Sequence, residues 1–344
     1  MDLTSLIDET YNKSAFGAAH EDPSDAYRDV PFLKQPVWKN EVAAYFFLGG
    51  ISAGSGLLGS IAELTGGEKY RKLARDAHYV SFITFLPCPL LLIDDLGVPT
   101  KFHHMLRIFK PSSPMNLGSW AFAVHGAGAT VLLIRLLAAE GKLPLSRAIT
   151  RAITMLPEKL LAGLGIPSSL VLAGYTGVLL GTTSIPVWYT SRLLGALFTA
   201  SSIATGASAL RLVSLSTHDT GDDIDALSSI NLLADTSVFA SYVAYLVTTG
   251  KSARPLWTGG RRYLNVTSLG ALVLSLVLHL VGTKGTMGKW GKMLGAIASL
   301  ASGGLLRWAI VRAGSASALD RQGALESMRA TSDKPGWTIP PDAG

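Results

Sequence analysis

Residues 42–64 read VAAYFFLGGISAGSGLLGSIAEL, and Glu63 is the one charged residue in the run. A helix needs about 20 apolar residues to cross the hydrocarbon core of a bilayer, so this stretch predicts a transmembrane helix. The run is also rich in glycine and serine, and Gly50 and Gly54 lie about one helical turn apart. Small residues at this spacing let helix backbones approach closely in lipid. The stretch therefore predicts a tight bundle of helices rather than a wide aqueous pore.

Seven further apolar runs of similar length follow, each bounded by charged residues, proline or glycine. They cover residues 77–96, 117–139, 161–183, 193–215, 227–249, 264–282 and 288–311. The predicted fold is therefore an all-α integral membrane protein with about eight transmembrane helices. We expect two four-helix bundles, at residues 41–190 and 191–312, between a polar extramembrane arm (1–40) and an extramembrane tail (313–344).

The composition agrees with a membrane protein and excludes several other classes. Of the 344 residues, 48% are hydrophobic and 16% are charged, whereas soluble proteins carry about 25% charged residues. A single cysteine, Cys88, excludes an internal disulfide, a four-cysteine iron–sulfur site and a zinc knuckle. The net charge of +6 lies in short connections between apolar runs, which is typical of membrane topology and not of nucleic-acid binding.

The distribution of Lys and Arg predicts the orientation of the chain. The connections after odd-numbered spans contain more of these residues than the connections after even-numbered spans. Cytoplasmic loops carry the excess of positive charge, so the first set should be cytoplasmic and both termini should face outward. We expect a multi-pass protein of the inner (cytoplasmic) membrane.

The densest group of titratable residues follows the second span. Asp94 and Asp95 end the apolar run, and Lys101, His103 and His104 come shortly after it. A carboxylate at the hydrocarbon boundary is costly unless it is paired, hydrated or neutral. One interpretation is a proton-exchanging site beside an apolar ligand. The other is that these charges only mark where the helix leaves the membrane.

Three separated stretches resemble a known family. They are PVW at 36–38 with YFFLGGISAG at 45–54, DLGVPTKF at 95–102 with SPMNLGSW at 113–120, and YTGVLL at 175–180 with PVW at 186–188. In this order and within an eight-span layout, they resemble the NrfD/PsrC family, the membrane subunits of polysulfide-reductase-like respiratory complexes. The second half of the chain is similar mainly in hydropathy.

The resemblance implies a quinone site, for menaquinone or ubiquinone, at the outer edge of the first four helices. It also implies a ferredoxin-like iron–sulfur partner subunit with several clusters, and a further catalytic subunit that commonly contains molybdopterin. No haem or metal is expected in this chain. The counted spans place eight candidate residues at that one edge: Tyr45, Asp94, Asp95, Lys101, His103, His104, Tyr175 and Trp188.

Four of these residues are predicted to bind the quinone. The phenols of Tyr45 and Tyr175 can donate hydrogen bonds to a quinone carbonyl, although an interfacial tyrosine is also common without such a role. Lys101 stands where the family usually has Arg, so it offers a point charge instead of a bidentate contact. Trp188 would contact the quinone or simply anchor the membrane interface.

The other four are predicted to move protons. Asp95, with Asp94 beside it, would accept a proton from a quinol or orient a basic neighbour. His103 and His104 would relay protons near neutral pH, because the histidine charge changes in that range. Solvated loop histidines are the alternative.

Two carboxylates inside the spans are assigned to a proton path. Asp235 lies about two turns inside the sixth span, where an unpaired carboxylate is expensive, so it should either serve proton transfer or pair with Arg211. Glu63 lies near the end of the first span, where snorkelling or pairing is the alternative. Haem is disfavoured because His125 and His279 lie at different depths, although His78 and His279 could be at a similar depth.

The sequence therefore predicts the quinone-reactive membrane subunit of a multi-subunit respiratory oxidoreductase. Electrons would pass between a quinone near Tyr45, Asp95 and Tyr175 and an iron–sulfur cluster of the partner subunit. The acidic arm and the proline-rich tail would clamp that partner. A passive membrane anchor and a secondary transporter remain as alternatives.

Overall fold

A computed structural model describes residues 33–38, 40–217, 221–283, 288–320 and 323–324. Within these ranges the chain is helical and contains no strand. The helices are α1 (Asn40–Thr65), α2 (Arg71–Phe85), α3 (Cys88–Asp95), α4 (Pro114–Ala139), α5 (Arg147–Thr154), α6 (Glu158–Gly181), α7 (Pro186–Tyr189), α8 (Leu194–Ser216), α9 (Gly221–Thr249), α10 (Gly259–Thr283) and α11 (Lys289–Leu319). Short 3-10 helices cover Gly67–Tyr70, Pro99–Leu106 and Gly250–Trp257.

Eight segments are long and apolar enough to cross a membrane, which confirms the prediction of an all-α protein with eight spans. The second of them is not one continuous helix. It is divided at Leu86 and Pro87 into α2 and α3, because proline has no backbone N–H to continue the helical ladder. The last span is longer than its apolar run, since α11 continues past Ala313 to Leu319.

Three helices form the centre of the molecule. In α1, α8 and α11 the most apolar segments are 67–78% buried, whereas in the other five spans this share is 28–33%. α1 packs against α2, α6 and α8, and α8 packs against α6, α9 and α11. α4 lies against α6, and α10 lies mainly against α11. Contacts between α1 and α8 thus join the helices of the first half to those of the second.

Glycine allows α1 and α8 to touch through their backbones. A side chain added at Gly54 would collide with the carbonyl group of Ser202, and one added at Gly206 would collide with the backbone at Gly54 and Ser55. A single methyl group at either position would therefore push the two helices apart. This is the close approach that the small residues of the first span predict.

The first long helix begins, and the last one ends, on the same face of the bundle. Arg312 Nη2 near the end of α11 donates to Asn40 Oδ1 at the start of α1, over 3.0 Å. We call this face, where α1 begins and α6 ends, the Trp38 end, and the opposite face, where α1 ends, the Glu63 end. The predicted arm and most of the predicted tail lie outside the described residues.

Candidate functional site

Tyr45 lies on the inner side of α1, close to the Trp38 end. Its side chain is buried at 3% exposure, and its ring meets the ring of Phe122 on α4 edge to face, with centroids 5.7 Å apart. Cys88, the first residue of α3, lies on the same side, since an added side chain at Gly49 would touch both Tyr45 and the Cys88 sulfur. Tyr45 therefore occupies an aromatic and apolar corner between α1, α3 and α4.

Tyr175 reaches the same corner from α6. Its ring and hydroxyl group lie directly over Gly118 of α4, in the space that a side chain at this position would fill. Tyr175 is half-buried, and its contact at Gly118 lies one helical turn from Phe122, the residue that the ring of Tyr45 meets. The structure thus brings Tyr45 and Tyr175, two of the predicted quinone-binding residues, together.

A row of aromatic rings leads from this corner into the bundle. Phe122 stacks near Phe85 of α2, with centroids 4.5 Å apart, and Phe85 is 5.7 Å from the ring of His125. Gly118, Phe122 and His125 are spaced by four and three residues, so they share one face of α4. The sequence analysis missed Phe122 and Gly118. Their spacing from His125 could have indicated that they lie on the same helix face as this residue.

His125 is the centre of a buried hydrogen-bonded group in the first half of the chain. Ser52 Oγ lies 3.0 Å from His125 Nε2, and Ser169 Oγ lies 3.5 Å from His125 Nδ1. Ser81 Oγ donates to the carbonyl oxygen of Ser52 over 2.9 Å. Both ring nitrogens of His125 therefore have protein partners, as expected of a histidine that holds helices together.

The predicted proton-moving residues lie further out at the Trp38 end. Asp94 is exposed near the end of α3, and Asp95 is half-buried there. His103 and His104 stand on the exposed turn Pro99–Leu106, with their rings 4.4 Å apart. Lys101 belongs to the same turn and is exposed. These residues form the surface above the tyrosine corner rather than its lining.

Asn116 holds the connection between α3 and α4 in place. Its side-chain amide donates to the carbonyl oxygens of Met105 and Ile108 over 2.8 and 3.0 Å. Its carbonyl oxygen accepts from the backbone N–H of Lys110 over 2.7 Å. The connection is thus ordered by α4 while its outer side carries exposed apolar residues, which are Val98, Phe102, Leu106, Ile108 and Phe109.

Trp188 lies deeper than an interfacial anchor would. It is fully buried in α7, stacks on Trp38 with centroids 5.4 Å apart, and donates its indole N–H to the carbonyl oxygen of Ile310 over 2.9 Å. Its ring fills the space above Gly314 of α11. Trp188 thereby joins the end of the first four spans to the end of the last, and its contact with a quinone stays a prediction.

Glu63 is paired at the opposite end of the bundle. Its Oε2 atom lies 2.9 Å from His78 Nε2, and both side chains are about nine-tenths buried. Nearby, Arg135 Nη2 lies 2.8 Å from Glu158 Oε2. Glu63 and the tyrosine corner thus lie at opposite ends of the first half.

Asp235 has different partners from the one expected. Its carboxylate accepts hydrogen bonds from Ser275 Oγ at 2.6 Å and Ser299 Oγ at 2.8 Å, and it lies 3.1 Å from His279 Nδ1. Arg211 acts on Asp235 only as a more distant charge. Helix rotation explains the difference, because α10 and α11 turn their polar faces toward α9.

Metal binding receives no support from the described part of the chain, where no group of three or more His, Cys, Asp and Glu side chains could hold an ion. His78 and His279 interact with carboxylates in different halves of the molecule, so they do not face each other across a haem.

Two cavities in the described part of the chain lie away from the tyrosine corner. One of about 510 Å³ lies between the end of α9 and the turn Gly250–Trp257, and is lined by Leu246, Gly250, Lys251, Ala253, Arg254 and Trp257. Its lining combines cationic and apolar side chains without the paired tyrosines of the corner. A quinone needs hydrogen-bond donors at its carbonyl groups, and the tyrosine corner offers two phenols for this role.

Comparison with known proteins shows what the chain is similar to. A family model described as "Polysulphide reductase, NrfD" matches residues 29–317. A selenate reductase subunit of Mesobacillus selenatarsenatis is 24% identical over 195 residues, which are 49% of this chain. The match covers 46% of that relative, so the chain spans about half the length of the curated protein it resembles.

Proposed function

The chain belongs to the polysulphide reductase NrfD family, and from this we propose that it is the quinone-reactive membrane subunit of a respiratory oxidoreductase complex. The observation that carries the proposal is the meeting of Tyr45 and Tyr175 in one corner, from two different helices. Quinones, menaquinone or ubiquinone, are lipid-soluble, and this corner combines aromatic rings with two hydroxyl donors at one edge of the bundle.

The chemistry follows from what each residue offers. The two phenols bind and orient the quinone headgroup through its carbonyl oxygens, and the rings of Phe122 and Phe85 exclude water from one side of it. Asp95 and Asp94 take up or supply the protons that accompany quinone chemistry, because they lie where the bundle meets water. His103 and His104 pass these protons to the solvent, and Lys101 holds the carboxylates by its charge.

The exposed connection between α3 and α4 supplies a surface for the electron-transfer partner. Phe102, Ile108 and Phe109 are 48–60% exposed and stand beside Lys101 and Arg107. Contiguous exposed apolar residues with a charged rim are typical of protein interfaces. We assign this surface to a ferredoxin-like iron–sulfur subunit, which lies between the quinone corner and a further catalytic subunit. The selenate reductase relative is, by its name, also one subunit of an enzyme.

The membrane is proposed to be the inner, cytoplasmic one, with the Trp38 end facing outward. Eight apolar helices support a multi-pass membrane protein. The excess of Lys and Arg in the connections at the Glu63 end supports the orientation. Glu63, paired with His78 at that end, then belongs to the side from which protons would enter a path through the first half.

Two substitutions test the quinone site. Tyr175→Phe removes one hydroxyl donor and Asp95→Asn removes one proton acceptor, so each should reduce quinone turnover of the purified complex by about 10-fold or more. Tyr263→Phe is the matched control, because Tyr263 is 74% exposed at the start of α10, at the same end of the bundle. It should leave turnover unchanged.

Co-purification of the partner subunits separates the two remaining functions. Lost turnover with an intact complex supports quinone chemistry at the corner. Full turnover in both variants would show that the chain is a passive anchor.

A further inference from the structure

The most apolar span of the molecule turns a polar face inward. α10 has a mean hydropathy of 2.0, the highest among the eight spans. Asn265, Ser268, Ser275 and His279 nevertheless recur at helical spacing along it, and each is at most 2% exposed. The outward face of α10 carries apolar residues that are 48–52% exposed, namely Val266, Val273, Val277 and Leu280. Polar side chains buried in a membrane protein are expensive and frequently functional.

The polar face of α10 meets a carboxylate near its Glu63 end. Asp235 of α9 is 1% exposed and accepts from two hydroxyl groups, Ser275 and Ser299. Its Oδ2 atom also lies 3.1 Å from His279 Nδ1. A carboxylate only accepts hydrogen bonds, so the neutral ring of His279 carries its hydrogen on Nδ1, which faces Asp235. The other nitrogen, Nε2, then holds a lone pair. No described residue forms a hydrogen bond with Nε2, although His279 is fully buried.

Arg211 of α8 is a second buried group with open hydrogen-bonding capacity. Its side chain is fully buried, and none of its three nitrogen atoms has a hydrogen-bond partner among the described residues. It lies beside Gly282 of α10, where an added side chain would come within 3.6 Å of Nη2. Asp235 and Asp225 are the carboxylates that act on it electrostatically.

The charges of Asp235, His279 and Arg211 balance when the histidine is neutral. Asp235 contributes one negative charge and Arg211 one positive charge. Asp225 is 74% exposed on its side chain and lies 3.7 Å from Lys292, so this second pair also balances. One further proton can then enter the group on Nε2 of His279, and the resulting positive charge is offset by Asp235 at 3.1 Å. The site suits a proton better than a metal cation. The charge of Arg211 repels a cation, and Asp235 already accepts hydrogen bonds from two hydroxyl groups.

We infer that Asp235, His279 and Arg211 form a hydrated proton-binding site in the second half of the chain, in addition to the quinone corner. Water satisfies the three nitrogens of Arg211 and Nε2 of His279, since buried polar groups without partners are strongly disfavoured. Nε2 of His279 is the atom that gains and loses the proton. The site lies toward the Glu63 end and exchanges protons with the water there. It extends the predicted role of Asp235 and does not depend on quinone binding.

Hydroxyl-radical footprinting of the purified full chain in nanodiscs tests the hydration. Radicals produced from bound water oxidise buried side chains that this water contacts. His125 is the internal control, because it is equally buried but both of its ring nitrogens have protein partners. His279 should be oxidised several-fold faster than His125. An equal or slower rate for His279 would overturn the inference.

Nitrogen-15 NMR of histidine-labelled protein tests the proton. The Nε2 resonance of His279, assigned with His279→Gln, should change when the pH of the sample is lowered. The change should persist in Ser299→Ala, which keeps the carboxylate, and disappear in Asp235→Asn, which removes it. A resonance that stays constant in the unmodified protein, or a change that survives Asp235→Asn, would overturn the inference. Because no quinone or partner is present, failure of the proposed quinone function would leave these results unaffected.

Discussion

At the scale of single residues, the tyrosine corner depends on the absence of a side chain at Gly118. The ring of Tyr175 occupies the space that a methyl group there would fill, so α4 fixes the position of this phenol through a glycine. The position of the Tyr175 hydroxyl group thus depends on how the ring packs against α4. Displacement of a positioned group by about 1 Å can reduce a rate by 100-fold.

Gly118→Ala should therefore displace Tyr175 and reduce quinone turnover by about 10-fold or more, while the complex still assembles. Gly128→Ala is the matched control on the same helix, because an added methyl group there meets no atom within 4 Å. Turnover of the complex in detergent measures both. Equal turnover in the two variants would contradict the role of Gly118.

At the scale of elements, a charged group joins the end of α4 to α2. Glu140 Oε2 lies 2.6 Å from Lys142 Nζ and accepts from Tyr79 over 2.9 Å. The hydrogen bond from Lys142 is the main cause that lowers the pKa of Glu140, and the one from Tyr79 adds to it. A carboxyl group whose pKa is lower in the folded state than in the unfolded state stabilises the folded protein at pH values above the unfolded pKa. That contribution is lost as the pH falls through the folded pKa.

Glu140→Gln should thus lower the thermal midpoint by about 1–2 °C at neutral pH, and this difference should shrink below about pH 4. Glu68→Gln is the control, since Glu68 pairs with Arg71 at 3.3 Å but is 87% exposed, and it should change little at any pH. Thermal unfolding in detergent at several pH values measures both. A difference for Glu140→Gln that is the same at acidic and neutral pH would argue against the assignment.

At the scale of the whole molecule, the two halves meet through backbone contact of α1 with α8. Gly54 and Gly206 leave no room for a side chain, and the colliding atoms belong to the backbone. Arg307 joins α11 to the same part of α8, because it donates to Ser201 and Ser202 over 2.8 and 3.0 Å. The centre of the molecule is therefore closely packed and has little freedom to adjust.

Gly206→Ala should lower the free energy of unfolding by about 1–3 kcal/mol, as for overpacked cores, and the thermal midpoint by about 3–10 °C. Gly270→Ala on α10 is the control, because an added methyl group there meets no atom within 4 Å. It should be neutral or slightly stabilising, since alanine favours helix. Destabilisation of equal size in both variants would mean that the contact of α1 with α8 does not decide the result.

The sequence predicted the spans well because the requirement for about 20 apolar residues per crossing is strict. Span counting also predicted that Tyr45 and Tyr175 lie at the same end, since alternate crossings reverse direction. Span counting did not predict that the near partner of Asp235 is His279 and not Arg211. Hydropathy reports the depth of a residue but not the rotation of its helix, and that rotation depends on packing between distant parts of the chain.

The break of the second span at Pro87 also escaped the sequence prediction. The residues of α2 and α3 together satisfy the length requirement, so a hydropathy average does not detect the division. The aromatic lining by Phe122 and Phe85 was missed, because residue spacing shows which side chains share a helix face but not which neighbouring helix that face meets.

Synthesis of the chain at the translocon has to accommodate Arg307 and Arg211, which are both fully buried in the folded protein. α8, which holds Arg211, has the lowest mean hydropathy of the eight spans, 1.3, and α11 holds Arg307. An arginine at the middle of a lone helix opposes insertion by roughly 2.5–3.5 kcal/mol. Arg307 finds its hydroxyl partners on α8, which leaves the ribosome much earlier. Arg307 therefore gains these partners only if α8 is already in place when the last helix has been translated.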